Sequence, residues 1–235
     1  MKRRGNPDVT VIIPALNEEK SISKVLWELN HLGYNKILIV DGNSRDKTVK
    51  VAKEFGVNII SQNGKGKGDA LRQAFNHGSL GMDVIVMLDA DGSMNIKEIP
   101  VLIDALDLGA DLAKGSRFLK HGYSEDMTVI RRIGNKFFLF LVNLFWSTNY
   151  TDLCYGLGVF RNDAVKKLYP HLKSKNFEIE TEIFIKAKKL GLRVVEVPSI
   201  EFKRRYGKSR LSTFLDGFRI LKTIIDELIN QVPKK

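Results

Sequence analysis

The stretch Asp83-Val-Ile-Val-Met-Leu-Asp89-Ala-Asp91-Gly92 decides the fold class. Val84 to Leu88 is an unbroken apolar run, which reads as a strand buried on both faces, as in parallel sheets. Two carboxylates follow, two residues apart, where the strand gives way to a glycine turn. Side chains alternate along an extended chain, so Asp89 and Asp91 can point the same way. Two hard oxygen ligands at the carboxyl end of a parallel strand suit Mg²⁺ or Mn²⁺. That edge is also where open α/β sheets bind ligands. The same residues equally suit an ordinary turn with a capping carboxylate, and the motif alone does not choose.

Outward from this strand, short apolar runs alternate with polar-faced helical patterns. Asp8–Ile13 reads as a strand ended by Pro14, a helix over about Glu19–Leu32 closes at Gly33, and Lys36–Val40 is a second strand. Ser44 or Asp46 can cap a helix running to Gly56, Val57–Ile60 is a short strand, and a helix around Asp69–His77 ends at Gly78. Beyond Asp91, Lys97–Leu108 reads as helix and Ala110–Lys114 as a fifth strand. This alternation predicts a parallel, doubly wound α/β sheet. The second half changes character. Phe137–Trp146 is intensely apolar but shorter than the ~20 residues needed to cross a bilayer, so it is a buried helix or one lying in a membrane interface. Phe177–Leu190 reads as a helix and Arg193–Val197 as a strand. From Leu211 to Val232, apolar residues recur at helical spacing on one face, a stripe that is more often core than membrane face.

At 235 residues with 43% hydrophobic content, the chain can bury a sizeable core as one α/β domain. One cysteine, Cys154, excludes an internal disulfide, and the basic Met1–Arg4 segment has no apolar run behind it, so a cytoplasmic protein is expected. The net charge of +11 is unevenly placed: residues 1–113 carry −1 and residues 114–210 carry +11. Such a block implies an anionic partner or a solvated face, and Lys186, Lys188 and Lys189 on a helical pattern suit the latter. The pI near 9.6 invites nucleic acid as that partner, but no reading motif accompanies it, and none is expected to bind.

Four segments end strands on the presumed binding edge: Pro14–Glu18, Asp41, Asn63–Asp69 and Asp89–Asp91. Glycines 64, 66 and 68 would let backbone approach a phosphate, with Lys65 or Lys67 adding charge, although a flexible turn explains them too. The spacing is neither that of a P-loop nor that of a dinucleotide fingerprint. Asn17, Glu18 and Asp41 can contact a ligand or merely cap the helices that follow them.

Taken in order, Pro14-Ala15-Leu16-Asn17-Glu18, Asp41-Gly42-Asn43-Ser44, Gly66-Lys67-Gly68-Asp69-Ala70 and Asp89-Ala90-Asp91-Gly92 resemble the inverting family 2 glycosyltransferases of the GT-A fold. Gly115–Phe118, Arg131–Asn135, Thr151–Gly156, Phe177–Glu182 and Tyr206–Arg210 resemble that family's dolichyl-phosphate mannose synthase branch, which includes polyprenyl-phosphate glycosyltransferases. The resemblance implies a mostly parallel sheet with helices on both faces. It implies a catalytic domain over 1–210, with a nucleotide-sugar half (1–114) and an acceptor half (115–210), then an amphipathic helix over 211–235. Asp89 and Asp91 would hold Mg²⁺ or Mn²⁺ against the diphosphate of a UDP- or GDP-linked sugar. Pro14, Ala15, Glu18, Asp41 and Lys67 would line the donor pocket, with Asp41 on the base. Some relatives place a Gln or His where Ser93 stands, so water is expected in place of a third protein ligand.

On the acceptor side, Arg117, Arg131 and Arg204 or Arg205 would grip phosphates, with Asn135 beside them and Asp152 ordering the loop. A polyprenyl phosphate is already an anionic nucleophile. A hydroxyl acceptor, the alternative, would need a base, for which Glu180 or Glu182 is the candidate. Residues 119–128 read as a polar loop able to close over substrates. The Phe137 and Leu211 segments beside the basic block would seat the enzyme peripherally on the cytoplasmic membrane face.

Overall fold

The computed structural model describes residues 7–77, 82–207 and 209–230. Met1–Arg4, the helix stop at Gly78, Lys208 and the Val232 end of the apolar stripe lie outside them. The first half follows the predicted alternation: β1 (Val9–Ala15), α1 (Ile22–His31), β2 (Ile37–Asp41), α2 (Thr48–Glu54), β3 (Asn58–Ser61), α3 (Lys67–Asn76), β4 (Val84–Met87), α4 (Ile99–Asp107) and β5 (Leu112–Ser116). Next come β6 (Tyr123–Ser124), α5 (Val129–Trp146), β7 (Gly158–Arg161) and α6 (Asn162–Leu168). The chain continues through α7 (Ile179–Lys189), β8 (Val194–Pro198), β9 (Ile200–Glu201) and α8 (Thr213–Ile229).

Among the described residues, seven strands form one sheet in the order β3-β2-β1-β4-β7-β5-β8. Its neighbours are parallel except where β7 runs antiparallel between β4 and β5. β7 has little local signal in the sequence, because Gly158-Val-Phe-Arg161 is short and has no alternation. Alternate β1 side chains build two cores. Val11 and Ile13 pack with α1, α2 and α4, whereas Ile12 packs with α3, α5, α6, α7 and α8. Full burial of each such residue contributes about 1.5–3 kcal/mol. A one-residue slip of β1 would exchange the two sets and turn the Pro14–Ala15 edge around. The register aligns Ala15 with Asp41 and Asp41 with Ser61, so the loops after β1, β2 and β3 open on one edge.

Four expectations change. The polar segment 119–128 is pinned rather than free, since β6 pairs with β9 and Ser124 Oγ donates to Glu201. The apolar helix begins at Val129, where the Thr128 side chain accepts from Arg131 N. Lys186 and Lys189 are not a solvated face, because both pair with the buried Glu227, at 2.8 and 2.7 Å. Most unexpectedly, α8 is inside out. Its buried residues are Asp216, Ile220, Ile224 and Glu227, while Phe214 is 82% exposed and Phe218 67%. The predicted apolar stripe therefore faces largely outward, and α5 likewise exposes Ile133, Phe137, Phe140 and Leu144.

Candidate active site

The chain leaves β4 through Leu88 and turns at Gly92, whose φ of 72° is in the left-handed region. Asp89 and Asp91 then line a cavity of about 410 Å³ together with Pro14, Ala15, Glu18 and Lys67. Each aspartate faces a cation from elsewhere in the chain. Lys67 Nζ lies 2.5 Å from Asp89 and 2.6 Å from Glu180, with its side chain almost wholly buried. Burial works against the ammonium, but the two carboxylates outweigh it and hold the Lys67 pKa above its ordinary value. Burial pushes Glu180 upward, against the pull of Lys67.

Arg204 spans the second pair: Nη1 donates to Asp91 Oδ2 at 3.1 Å and Nη2 to Glu18. Phe202 N donates to Ser93 O at 2.7 Å, which carries the following residues across this edge. Burial raises the Glu18 pKa and Arg204 partly offsets it. Ser93 has a different task from that of a ligand. Its N–H and hydroxyl donate to Asp91 Oδ1 at 3.0 and 2.7 Å, which fixes that carboxylate. No cluster of three or more His, Cys, Asp or Glu suited to a metal occurs among the described residues. Two cavity-wall carboxylates, one oriented by Ser93, nonetheless fit a hard cation that takes its other ligands from water and phosphate, once Arg204 leaves Asp91.

The glycine loop is used mainly for packing. A Cβ at Gly66 would lie 2.3 Å from Lys175 O and one at Gly68 2.6 Å from Ser174 O, so these glycines let the start of α3 dock against 174–176. That docking aims Lys67 into the cavity, while Lys65 stays exposed outside it. Asp41 is buried, with its carboxylate accepting from Ser44 N at 3.1 Å; its neighbours Val40 and Gly42 line the cavity and it does not. Gly156 had no predicted role, yet a Cβ there would lie 2.6 Å from Lys67 Nζ and 2.9 Å from Asp89 Oδ2.

In the second half, Arg117 is held by a buried network. Nε and Nη2 donate to Asp152 at 2.7 and 3.0 Å, Nη2 to Cys154 O at 2.9 Å, and Nη1 to Glu201 at 3.0 Å. Four of the guanidinium's five N–H groups are thus spent inside the protein. Burial would raise Asp152, but Arg117 prevails and keeps that carboxyl below its ordinary range. Asp152 is fully buried and does not line the cavity. Behind it, Glu196 accepts from Thr151 N and Asp152 N and pairs with the fully buried Lys114 at 3.0 Å.

Arg131 and Asn135, one turn apart on α5, both line the cavity. Arg131 Nη2 donates to Leu211 O at 3.3 Å and Asn135 Oδ1 accepts from Leu153 N at 3.2 Å. Arg131 Nε and Asn135 Nδ2 are buried without an acceptor among the described residues. Two expected residues sit apart: Glu182 accepts from the amides of Lys173 and Ser174 outside the cavity, and Arg205 is exposed beyond its lining.

The sheet with its acidic edge is the GT-A glycosyltransferase fold. It superposes on glucosyl-3-phosphoglycerate synthase from Mycobacterium tuberculosis, crystallised with Mn²⁺, UDP and glucosyl-3-phosphoglycerate, with a TM-score of 0.74. That match is 18% identical and covers 98% of this chain and 82% of the other. The chain belongs to glycosyl transferase family 2, whose family model matches residues 10–169. An uncharacterized protein of Methanocaldococcus jannaschii is 36% identical over 94% of this chain and 93% of its own. The UDP-N-acetylglucosamine–dolichyl-phosphate N-acetylglucosaminyltransferase of Methanococcus voltae is 30% identical, covering 92% and 94%. The polyprenol monophosphomannose synthase of Mycolicibacterium smegmatis is 31% identical, covering 86% and 80%.

Proposed function

We propose that this glycosyltransferase moves a hexose, mannose or glucose, from a UDP- or GDP-linked donor to a polyprenyl phosphate, with inversion and with Mg²⁺ or Mn²⁺. An oxygen of the acceptor phosphate attacks the anomeric carbon while the bond to the diphosphate breaks, its electron pair leaving with the nucleotide. The cation, when bound, neutralises charge on the leaving diphosphate, and Asp89 and Asp91 would hold it. Pro14, Ala15, Glu18 and Lys67 flank the donor, and the neighbours of Asp41 reach the same cavity.

The observation that carries the acceptor half is the pair of unsatisfied buried donors on α5, Arg131 Nε and Asn135 Nδ2. Buried donors without acceptors are costly, and a phosphate oxygen would satisfy both. Because that acceptor is already anionic, alignment and charge stabilisation suffice without a strong base. Arg117 and Asp152 act here as a rigid support, with Arg204 free to exchange its carboxylates for a phosphate. The names of the two dolichol- and polyprenol-linked relatives support the lipid phosphate as acceptor. The outward apolar faces of α5 and α8, with Arg132 and Lys136 exposed among them, support a peripheral seat on the cytoplasmic face of an anionic membrane. No helix among the described residues is long and apolar enough to cross a membrane.

The test is incubation with labelled UDP- and GDP-hexoses, polyprenyl phosphate and Mn²⁺ or Mg²⁺, followed by organic extraction. Label is expected in the organic phase with one donor; none with any donor would refute the reading.

A further inference from the structure

We propose that Gln62 selects the donor's nucleobase: its Oε1 accepts the ring N–H of uracil or guanine and disfavours cytosine and adenine, whose ring nitrogen at that edge is itself an acceptor. The inference rests on the nucleotide-sugar reading above and adds the group that reads the base. The family resemblance places Asp41 on the base. Its carboxylate, however, accepts from Ser44 N at 3.1 Å and does not line the cavity, whereas Gln62, one strand further along the same edge, does.

The amide of Gln62 can sit only one way round. Nε2 donates to Gly66 O at 2.8 Å and to Asp69 Oδ2 at 2.9 Å, and neither of those atoms has a hydrogen to give. A flipped amide would set Oε1 against both of them. Both N–H groups are thus used, and no described residue donates to Oε1. Gln62 is only 6% exposed, so this free acceptor sits on a side chain that is fixed and almost wholly enclosed in the cavity wall.

Gly42 keeps the acceptor uncovered. Its φ is not left-handed, so the backbone does not demand glycine there. A Cβ at that position would lie 3.2 Å from Gln62 Oε1 and 3.2 Å from Leu16 Cβ, and all three residues line the cavity. The missing side chain leaves a gap with an apolar wall on one side and a lone acceptor on the other, which suits the edge of a flat ring carrying an N–H. In the order β3-β2-β1-β4, Gln62 and Asp89 follow strands three spacings apart, about 14 Å at ~4.8 Å each. Ribose and diphosphate can bridge that span, with the phosphates at Asp89 and Asp91 and the base at Gln62.

The experiment is calorimetry with Mn²⁺ on two pairs of nucleotides matched in size, UDP with CDP and GDP with ADP. An acceptor facing an acceptor leaves both unpaired. In the pair whose size the cavity admits, the wild type should bind UDP over CDP, or GDP over ADP, by at least about tenfold, or about 1.4 kcal/mol. Gln62→Met should erase that ratio. So should Gly42→Ser, whose hydroxyl can donate to Oε1 and occupy it. Gln62 also ties down the glycine loop, but losing those ties weakens all diphosphates alike and leaves the ratio unmoved. Equal affinities within both pairs in the wild type, or a ratio that survives in either folded variant, would overturn the base reading and leave the donor reading standing. No binding of any nucleoside diphosphate with Mn²⁺ would remove both.

Discussion

Arg204→Ala separates the roles assigned to the acidic edge. In the ligand-free protein this guanidinium neutralises Glu18 and Asp91 at once, and the side chains involved are 10–20% exposed. Exposed pairs contribute about 0–1 kcal/mol, and breaking a fully buried pair costs about 3–5. A part-buried bridge falls between, at about 1–3 kcal/mol. The cost is capped because burial already raises the Glu18 pKa and Arg204 is the main group holding it down. Without Arg204, burial and the Asp91 charge act on Glu18 with less opposition and move its pKa further up. The ligand-free variant should therefore melt earlier than the wild type. Its affinity for Mn²⁺ without nucleotide should rise, because the metal no longer has to displace the guanidinium from Asp91. Converting 1–3 kcal/mol gives a gain of about 5- to 150-fold. The free Mn²⁺ signal in electron paramagnetic resonance reads this directly, with no turnover needed. Mn²⁺ affinity that stays the same or falls would refute the competition, and with it the metal role of Asp91.

Gly156→Ala should keep the fold, since the atoms it meets are the flexible ends of Lys67, Met94 and the Asp89 carboxylate. It should nonetheless weaken nucleotide-diphosphate binding with Mn²⁺ at least about tenfold, a loss of about 1.4 kcal/mol, measured by calorimetry. Acid stability should have two limbs. Burial raises Glu98 and Glu182 above the ordinary 4.5, so the folded state binds extra protons and gains stability as pH falls through their pKa values towards 4.5. Asp152 lies below its ordinary 3.8, so its contribution is intact above 3.8 and is lost as pH falls further towards its folded value. Urea melts should show Glu182→Gln weakening the first limb and Asp152→Asn the second; unchanged slopes in both would contradict the assignment. Phe214→Ser with Phe218→Ser should change stability by no more than about 1 kcal/mol, because both rings are exposed. The pair should lower co-sedimentation with anionic vesicles, and unaltered sedimentation would argue against this face as the membrane seat.

The parts of the fold that were legible in the sequence are those with a local cause. The β4 run reads as buried because its neighbours β1 and β7 and the helices on both faces leave it no exposed side. Three helices of the first half, α1, α2 and α4, end at left-handed glycines, Gly33, Gly56 and Gly109. What local pattern could not supply was partner choice. Asp91 could be located, but that its two oxygens divide between Ser93 and an arginine 113 residues away depends on tertiary crossing. Glu180 and Glu182 are two apart on one helix and look interchangeable. One meets Lys67 in the cavity and the other caps the 173–174 backbone. The inversion of α8 was hidden for a related reason. Helical spacing identifies an apolar stripe, but not whether that stripe or the opposite one meets the rest of the protein.

That inversion also changes the meaning of the charge. The +11 surplus of residues 114–210 reads as the surface for an anionic partner or as a solvated face, yet several of its members are interior cations with private partners: Lys114 with Glu196, Arg117 with Asp152, Lys186 with Glu227. Glu227 lies on the buried face of α8, so α7 lysines help to fasten that helix with its phenylalanines outward. Removing those partners leaves Lys67, Arg131, Arg204, Arg210 and Arg219 at the cavity, and of these Arg131 alone has a buried donor still unsatisfied. The buried ion pairs hold the scaffold in a form that sets Arg131, with its unsatisfied Nε, on the cavity wall. Charge reversal at Glu227 should therefore loosen α8 and disturb acceptor binding, although Glu227 lies outside the cavity lining.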